Sequence, residues 1–142
     1  MMITLLALAT AAAFAGAAAY VGWSEQPARL ALDDGALLKE WKLSYAQGTK
    51  MQATLAMLSG FLGLAAFYVE QRPLAAVGGI LMLANWPYTF LVVMPTNRLL
   101  GAMADGRAGA RPLIVRWGRL HAVRTLLGIA ALCAFLVAEV AG

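Results

Sequence analysis

Apolar residues run almost unbroken through four stretches of the chain, approximately 2–21, 51–69, 74–94 and 119–139, and polar residues gather between them. Each stretch is close to the ~20 residues that carry a helix across a bilayer at ~1.5 Å per residue. The pattern predicts an all-α integral membrane four-helix bundle, a single transmembrane domain over 1–142. The first stretch ends in small residues, Ala15 to Ala19, but has no positive n-region and is longer than a signal core. It is therefore expected to be a retained helix. Between the first two stretches Leu38, Trp41 and Tyr45 recur about one turn apart, predicting an amphipathic segment over 37–46 that lies on the membrane or caps the bundle. Gly101, Gly106, Gly109 and Pro112 predict a flexible loop before the last stretch.

The last stretch breaks the pattern. Thr125 to Ala138 supplies only 14 uncharged residues, so a span of full length has to reach upstream through Arg124 and His121. An ionisable residue at that depth costs at least ~2.5 kcal/mol unless paired or facing a polar cavity, which marks it as a site candidate. Trp117, His121 and Arg124 are spaced i, i+4, i+7 and share one helix face. A snorkelling arginine below an interfacial tryptophan is the alternative. Snorkelling does not explain why His121 shares the stripe.

The third stretch carries Asn85-Trp86-Pro87 at its middle. Pro87 removes the amide that would pair with the Leu83 carbonyl, so a kink is expected. Asn85 then either bonds a neighbouring helix or lines a polar opening. Pro95 is expected to end this helix by disfavouring helix at Met94. The spacings Ala12-x-x-x-Gly16, Ala15-x-x-x-Ala19 and Ser59-x-x-x-Gly63 allow helices to approach closely.

With 62% hydrophobic and 13% charged residues, the chain is too apolar for a soluble domain. Of its 11 Lys and Arg, only Arg72 falls in the link between the second and third stretches. The positive-inside rule then puts the longer connections in the cytoplasm and both termini outside, in a multi-pass protein of the cell (inner) membrane. No basic patch is interleaved with aromatics, so nucleic acid is not an expected partner. The lone cysteine, Cys133, excludes an intrachain disulfide and a multi-cysteine metal site, and a lone histidine excludes bis-histidine haem within one chain. A His/Met ligand set is conceivable with seven methionines.

Tyr45 and Gln52, Asn97 and Arg98, and His121 and Arg124 all fall in the cytoplasmic half, with Glu25 or Arg29 following the first helix. A cavity opening at that end is expected, and Glu25 is the first choice of counter-charge for Arg124. The combination Glu25-Gln-Pro-Ala-Arg29, Trp41, Asn85-Trp-Pro87, Pro95-Thr-Asn97 and Trp117-x-x-x-His121-x-x-Arg124 resembles the anthrone-oxygenase-like group of small four-helix membrane proteins. That resemblance implies oxidation of anthrones to anthraquinones without an evident metal or flavin.

Under this reading the protein is an oxygenase for a lipophilic aromatic or quinol-like substrate, with dioxygen as co-substrate and no cofactor. His121 suits the base, its ordinary pKa of about 6.5 fitting proton transfer near neutrality. Arg124 suits a fixed cation that stabilises an oxyanion. Asn85 and Tyr45 are expected to orient the substrate carbonyl and Trp86 and Trp117 to line its ring, with Asn97, Glu25 and Arg29 completing the polar lining. The alternative is a non-catalytic bundle: an accessory subunit of a larger membrane complex, or a binder of a lipid or quinone head group. Expected partners are membrane lipid, a lipophilic small molecule, and a second copy or larger complex. The absence of an internal repeat argues against a transporter.

Overall fold

A computed structural model describes residues 1–141. The chain forms four helical rods, Met2–Leu30, Asp34–Glu70, Pro73–Ala102 and Ala110–Val140, each long and apolar enough to cross a membrane. Each rod packs beside the next and the fourth closes on the first, giving the expected all-α four-helix bundle. The first rod comprises α1 (Met2–Tyr20), a π turn (Val21–Glu25) and α2 (Gln26–Leu30). The second is α3 (Asp34–Glu70). The third comprises α4 (Pro73–Tyr88), a π turn (Thr89–Val93) and α5 (Met94–Ala102), and the fourth is α6 (Ala110–Val140).

The longer connections between the first and second apolar stretches and between the third and fourth are mostly helix. The segment 37–46 is the opening of α3, started by Asp33, whose carboxylate accepts from the amides of Gly35 and Ala36 at 3.0 and 2.9 Å. Its apolar face turns into the bundle: Leu37, Leu38 and Trp41 are buried. Pro95 does not end the third rod. The π turn widens the helix just before it, which accommodates both the missing amide and the ring. Pro112 sits in the first turn of α6, where an amide has no intrahelical acceptor, so the true connection shrinks to 103–109.

One end of the bundle is tight. An added Cβ on Gly79 of α4 would stand 2.7 Å from the Gly60 carbonyl oxygen of α3, and one on Gly63 would stand 2.8 Å from the Gly79 Cα. The Ser59 to Gly63 spacing thus serves close approach, and Ser59 Oγ also donates to the Ala7 carbonyl of α1 at 3.0 Å. The Ala12 to Gly16 spacing does not: Ala12 is exposed and nothing lies within 4 Å of a Cβ on Gly16. The last residue of α3 and the turn after it secure the other two rods. Glu70 accepts from the amides of Ile3 and Thr4 at 2.8 and 3.1 Å, and Arg72 donates to the Ala138 carbonyl. Charges of these signs complement an α-helix N-terminus and C-terminus respectively.

The two halves of the chain share one plan, a repeat that the residues alone did not reveal. Each half runs helix, five-residue π turn, short helix with proline at its second position, connection, long helix. Trp41 and Trp117 are each the eighth residue of their long helix, and Tyr45 and His121 each the twelfth. Arg29 and Asn97 each stand four residues past a π turn. The register was hidden because α5 has 9 residues against 5 in α2, and the connection after it is also longer.

Candidate functional site

The polar residues collect at the end of the bundle where the π turns lie. Because α6 is 31 residues long, His121 and Arg124 fall near its middle. They share a buried face with Trp117, as the spacing predicted, at 3%, 8% and 6% exposure. The Trp117 and His121 rings stack at 5.1 Å and 16°. His121 Nε2 lies 3.2 Å from the Ala18 carbonyl oxygen of α1. A carbonyl only accepts, so the proton of the neutral ring sits on Nε2 and Nδ1 holds the free lone pair. The Val21 amide at the start of the π turn also donates to the Ala18 carbonyl, so His121 supplies a second donor to an oxygen with two lone pairs.

Arg124 does not pair with Glu25. None of the ion pairs among the described residues includes it, and its Nε is enclosed without a hydrogen-bond partner. Its guanidinium carbon lies 5.8 Å from the centroid of the Phe14 ring. Glu25 is taken by Arg29, four residues away on the same helical stretch, at 3.3 Å. Arg29 is itself 1% exposed and donates to Glu40, to Gln26 Oε1 at 2.8 Å and to Ser44 Oγ at 3.0 Å. Its guanidinium lies 5.5 Å over the Trp117 ring, so it braces the site rather than lining it.

Two cavities meet at Arg124. The larger, about 190 Å³, is lined by Glu25, Ser44, Tyr45, Gln52, Trp117 and His121 among others. The smaller, about 90 Å³, is lined by Tyr45, Asn85, Trp86, Phe90 and Met94 among others. Arg124, Tyr45 and Thr49 belong to both walls. Asn85 is 1% exposed and its Nδ2 donates to the Met82 carbonyl of its own helix at 3.2 Å, while Oδ1 has no partner. Among the described residues it therefore bonds no neighbouring helix, and it lies in the wall of the smaller cavity. Asn97 lines neither cavity; its Nδ2 donates to the Tyr45 hydroxyl at 2.9 Å. An apolar surface trough along Lys50, Met57, Phe61 and Ala65 shares Ala53 and Trp86 with the wall of the smaller cavity.

Of the residues singled out from the sequence, Tyr45, Trp117, His121, Arg124 and Glu25 are brought to one cavity and Asn85 and Trp86 to the other, while Arg29 and Asn97 stand behind. Thr49 of the shared wall was missed. It lies one turn past Tyr45 on α3, and helical spacing from Tyr45 would have found it.

The family model for anthrone oxygenase matches residues 41–134, a stretch that holds both cavity-lining tryptophans, Asn85, Tyr45, His121 and Arg124. An anthrone oxygenase of Claviceps purpurea (strain 20.1) is 33% identical over 110 residues, covering 66% of this chain and 62% of the relative. Anthrone oxygenase tpcL of Aspergillus fumigatus is 37% identical over 103 residues, covering 63% and 62%. Anthrone oxygenase ptaC of Pestalotiopsis fici is 28% identical over 116 residues, covering 67% and 82%. The chain thus spans less than two thirds of the length of the first two relatives. No solved structure matches it.

Proposed function

We propose, from the premise that the chain belongs to the anthrone oxygenase family, that it is a membrane-embedded, cofactor-independent oxygenase for a lipophilic aromatic substrate of the anthrone or quinol type. The observation that carries this reading is Arg124: a buried arginine with an enclosed Nε and no anionic partner among the described residues, in the wall between a cavity that holds His121 and one that holds Asn85. A buried cation without a counter-charge is poised for an anion that arrives with, or forms on, a ligand. The substrate enters from the bilayer by the trough beside Trp86 and straddles Arg124. A cavity of roughly 150 Å³ holds a benzene ring, so the larger cavity accommodates one ring beside His121. The oxygen-bearing edge then reaches towards Asn85.

His121 Nδ1 takes the acidic C–H or O–H proton, and Arg124 holds the enolate or phenolate oxygen that results. Removing the proton raises the electron density of the ring system enough for electron transfer to dioxygen. The test is oxygen uptake by purified, metal-stripped protein with anthrones, hydroquinones and quinols. Uptake is expected to survive chelation and to disappear in His121→Ala. If no candidate is oxidised above the His121→Ala background while mass spectrometry finds a retained lipid or second subunit, the accessory reading replaces this one. Loss of uptake on chelation would instead make His121 a metal ligand.

The one-sided placement of Lys and Arg supports the 103–109 connection in the cytoplasm and both termini outside the cell membrane. In a Cys133→Ala background, a thiol reagent that cannot cross the membrane should label Ala141→Cys on intact cells and spare Ala108→Cys. The opposite labelling would invert the topology.

A further inference from the structure

We infer that Tyr45 is the proton donor for the second half of the reaction, delivering its phenolic proton to the departing oxygen of a substrate hydroperoxide. The inference rests on the oxygenase reading and goes beyond it, since that reading needs only a base and a cation. Three observations carry it. Tyr45 occupies in α3 the position that His121 occupies in α6, twelfth in the helix and four residues past a tryptophan. It stacks on Trp41 at 4.7 Å and 8° as His121 stacks on Trp117, and the two tryptophans meet edge to face at 5.9 Å. The repeat thus presents two proton-carrying rings to one site, one from each half.

Second, Tyr45 and Arg124 together line both cavities, whereas His121 lines only the larger. A group at the junction reaches a substrate atom that a group on one side does not. Third, the Asn97 amide donates to the Tyr45 oxygen at 2.9 Å. That bond occupies a lone pair and leaves the O–H proton free to donate.

The reaction closes with these groups. In the first half the substrate CH₂ gives a proton to His121, the carbanion forms a C–O bond with dioxygen, and the imidazolium returns the proton to the peroxide anion. Dioxygen has then taken two electrons from carbon and stands as a hydroperoxide. In the second half His121 takes the remaining C–H proton and that electron pair becomes the C=O π bond. The distal oxygen leaves with the O–O electron pair and takes the Tyr45 proton, departing as water. The phenolate is held by the Arg124 charge until the imidazolium reprotonates it. Substrate CH₂ and O₂ have become ketone and water, and every side chain is restored.

The test uses the full-length protein with an anthrone, acid-quenched during turnover, and measures ketone formed per dioxygen consumed. For the wild type the balanced reaction requires one-to-one. Tyr45→Phe keeps the ring and its stack on Trp41 but has no proton to give. In this variant the ratio is expected to fall well below one, with hydroperoxide making up the difference and its conversion to ketone slowed ~100-fold or more. A Tyr45→Phe ratio that stays at one, with no peroxide in the quench, overturns the assignment whatever the overall rate. Absence of uptake by the wild type is a different result: it removes the oxygenase reading, and this assignment with it.

Discussion

Arg124→Met is expected to lower turnover about 10²- to 10³-fold, the usual loss of one oxyanion-holding group, and to weaken ligand binding, yet to leave the melting temperature no lower than that of the wild type. Breaking a buried ion pair is strongly destabilising, by ~3–5 kcal/mol, because it strands the partner. Among the described residues Arg124 has no such partner to strand. Methionine retains length and apolar contact with Phe14, and it forfeits only a cation–π contact of ~0.5–2 kcal/mol against relief of the guanidinium's desolvation. Arg124→Lys restores the charge without the planar donor fork and should recover part of the activity. The experiment pairs thermal unfolding in detergent with oxygen uptake for the three proteins. A Met variant that melts well below the wild type would show that the guanidinium is structural, and the basis for the site would go. Stability retained while function is lost is the signature of a residue kept for chemistry.

The same residue shows what the sequence made legible and what it did not. Trp117, His121 and Arg124 were placed correctly because a long apolar helix fixes the period, and the period fixes the shared face. The partner of Arg124 was misplaced for a local reason. Glu25 and Arg29 are four residues apart on one helical stretch, and that proximity satisfies Glu25 before any distant helix competes for it. The continuity of α3 was hidden by Lys39, Lys42 and Lys50, which interrupt hydropathy without interrupting the helix. Lys42 bonds Asp105 across the 103–109 connection at 2.9 Å. The π turns leave no compositional trace, since Val21–Glu25 and Thr89–Val93 share no residue pattern. Yet they allow the Pro95 helix to continue, and one of them lies beside the carbonyl that orients His121. The repeat became visible only when those turns supplied a common origin for counting.

His121 is the residue whose removal should most reduce turnover while least disturbing binding. His121→Ala is expected to lower turnover 10²- to 10⁴-fold, the range for a positioned general base, with ligand affinity changed only a few-fold. The base acts on the transition state, whereas Arg124 also holds the bound anion. His121 also has an anchoring role, since its Nε2 bonds the Ala18 carbonyl, so an alanine removes that anchor beside the first π turn together with the base. His121→Gln separates the two roles. Its amide can still donate to the Ala18 carbonyl, but an amide has no lone pair basic enough to remove the substrate proton. Both variants should therefore be equally inactive, and only the alanine should lose thermal stability. Binding is read from quenching of tryptophan fluorescence, because Trp86 and Trp117 line the two cavities. If His121→Gln keeps more than about a tenth of wild-type turnover, a deficit far smaller than loss of a general base produces, then the histidine only anchors α1. The proton acceptor would have to be sought among the other polar groups of the larger cavity, beginning with Glu25.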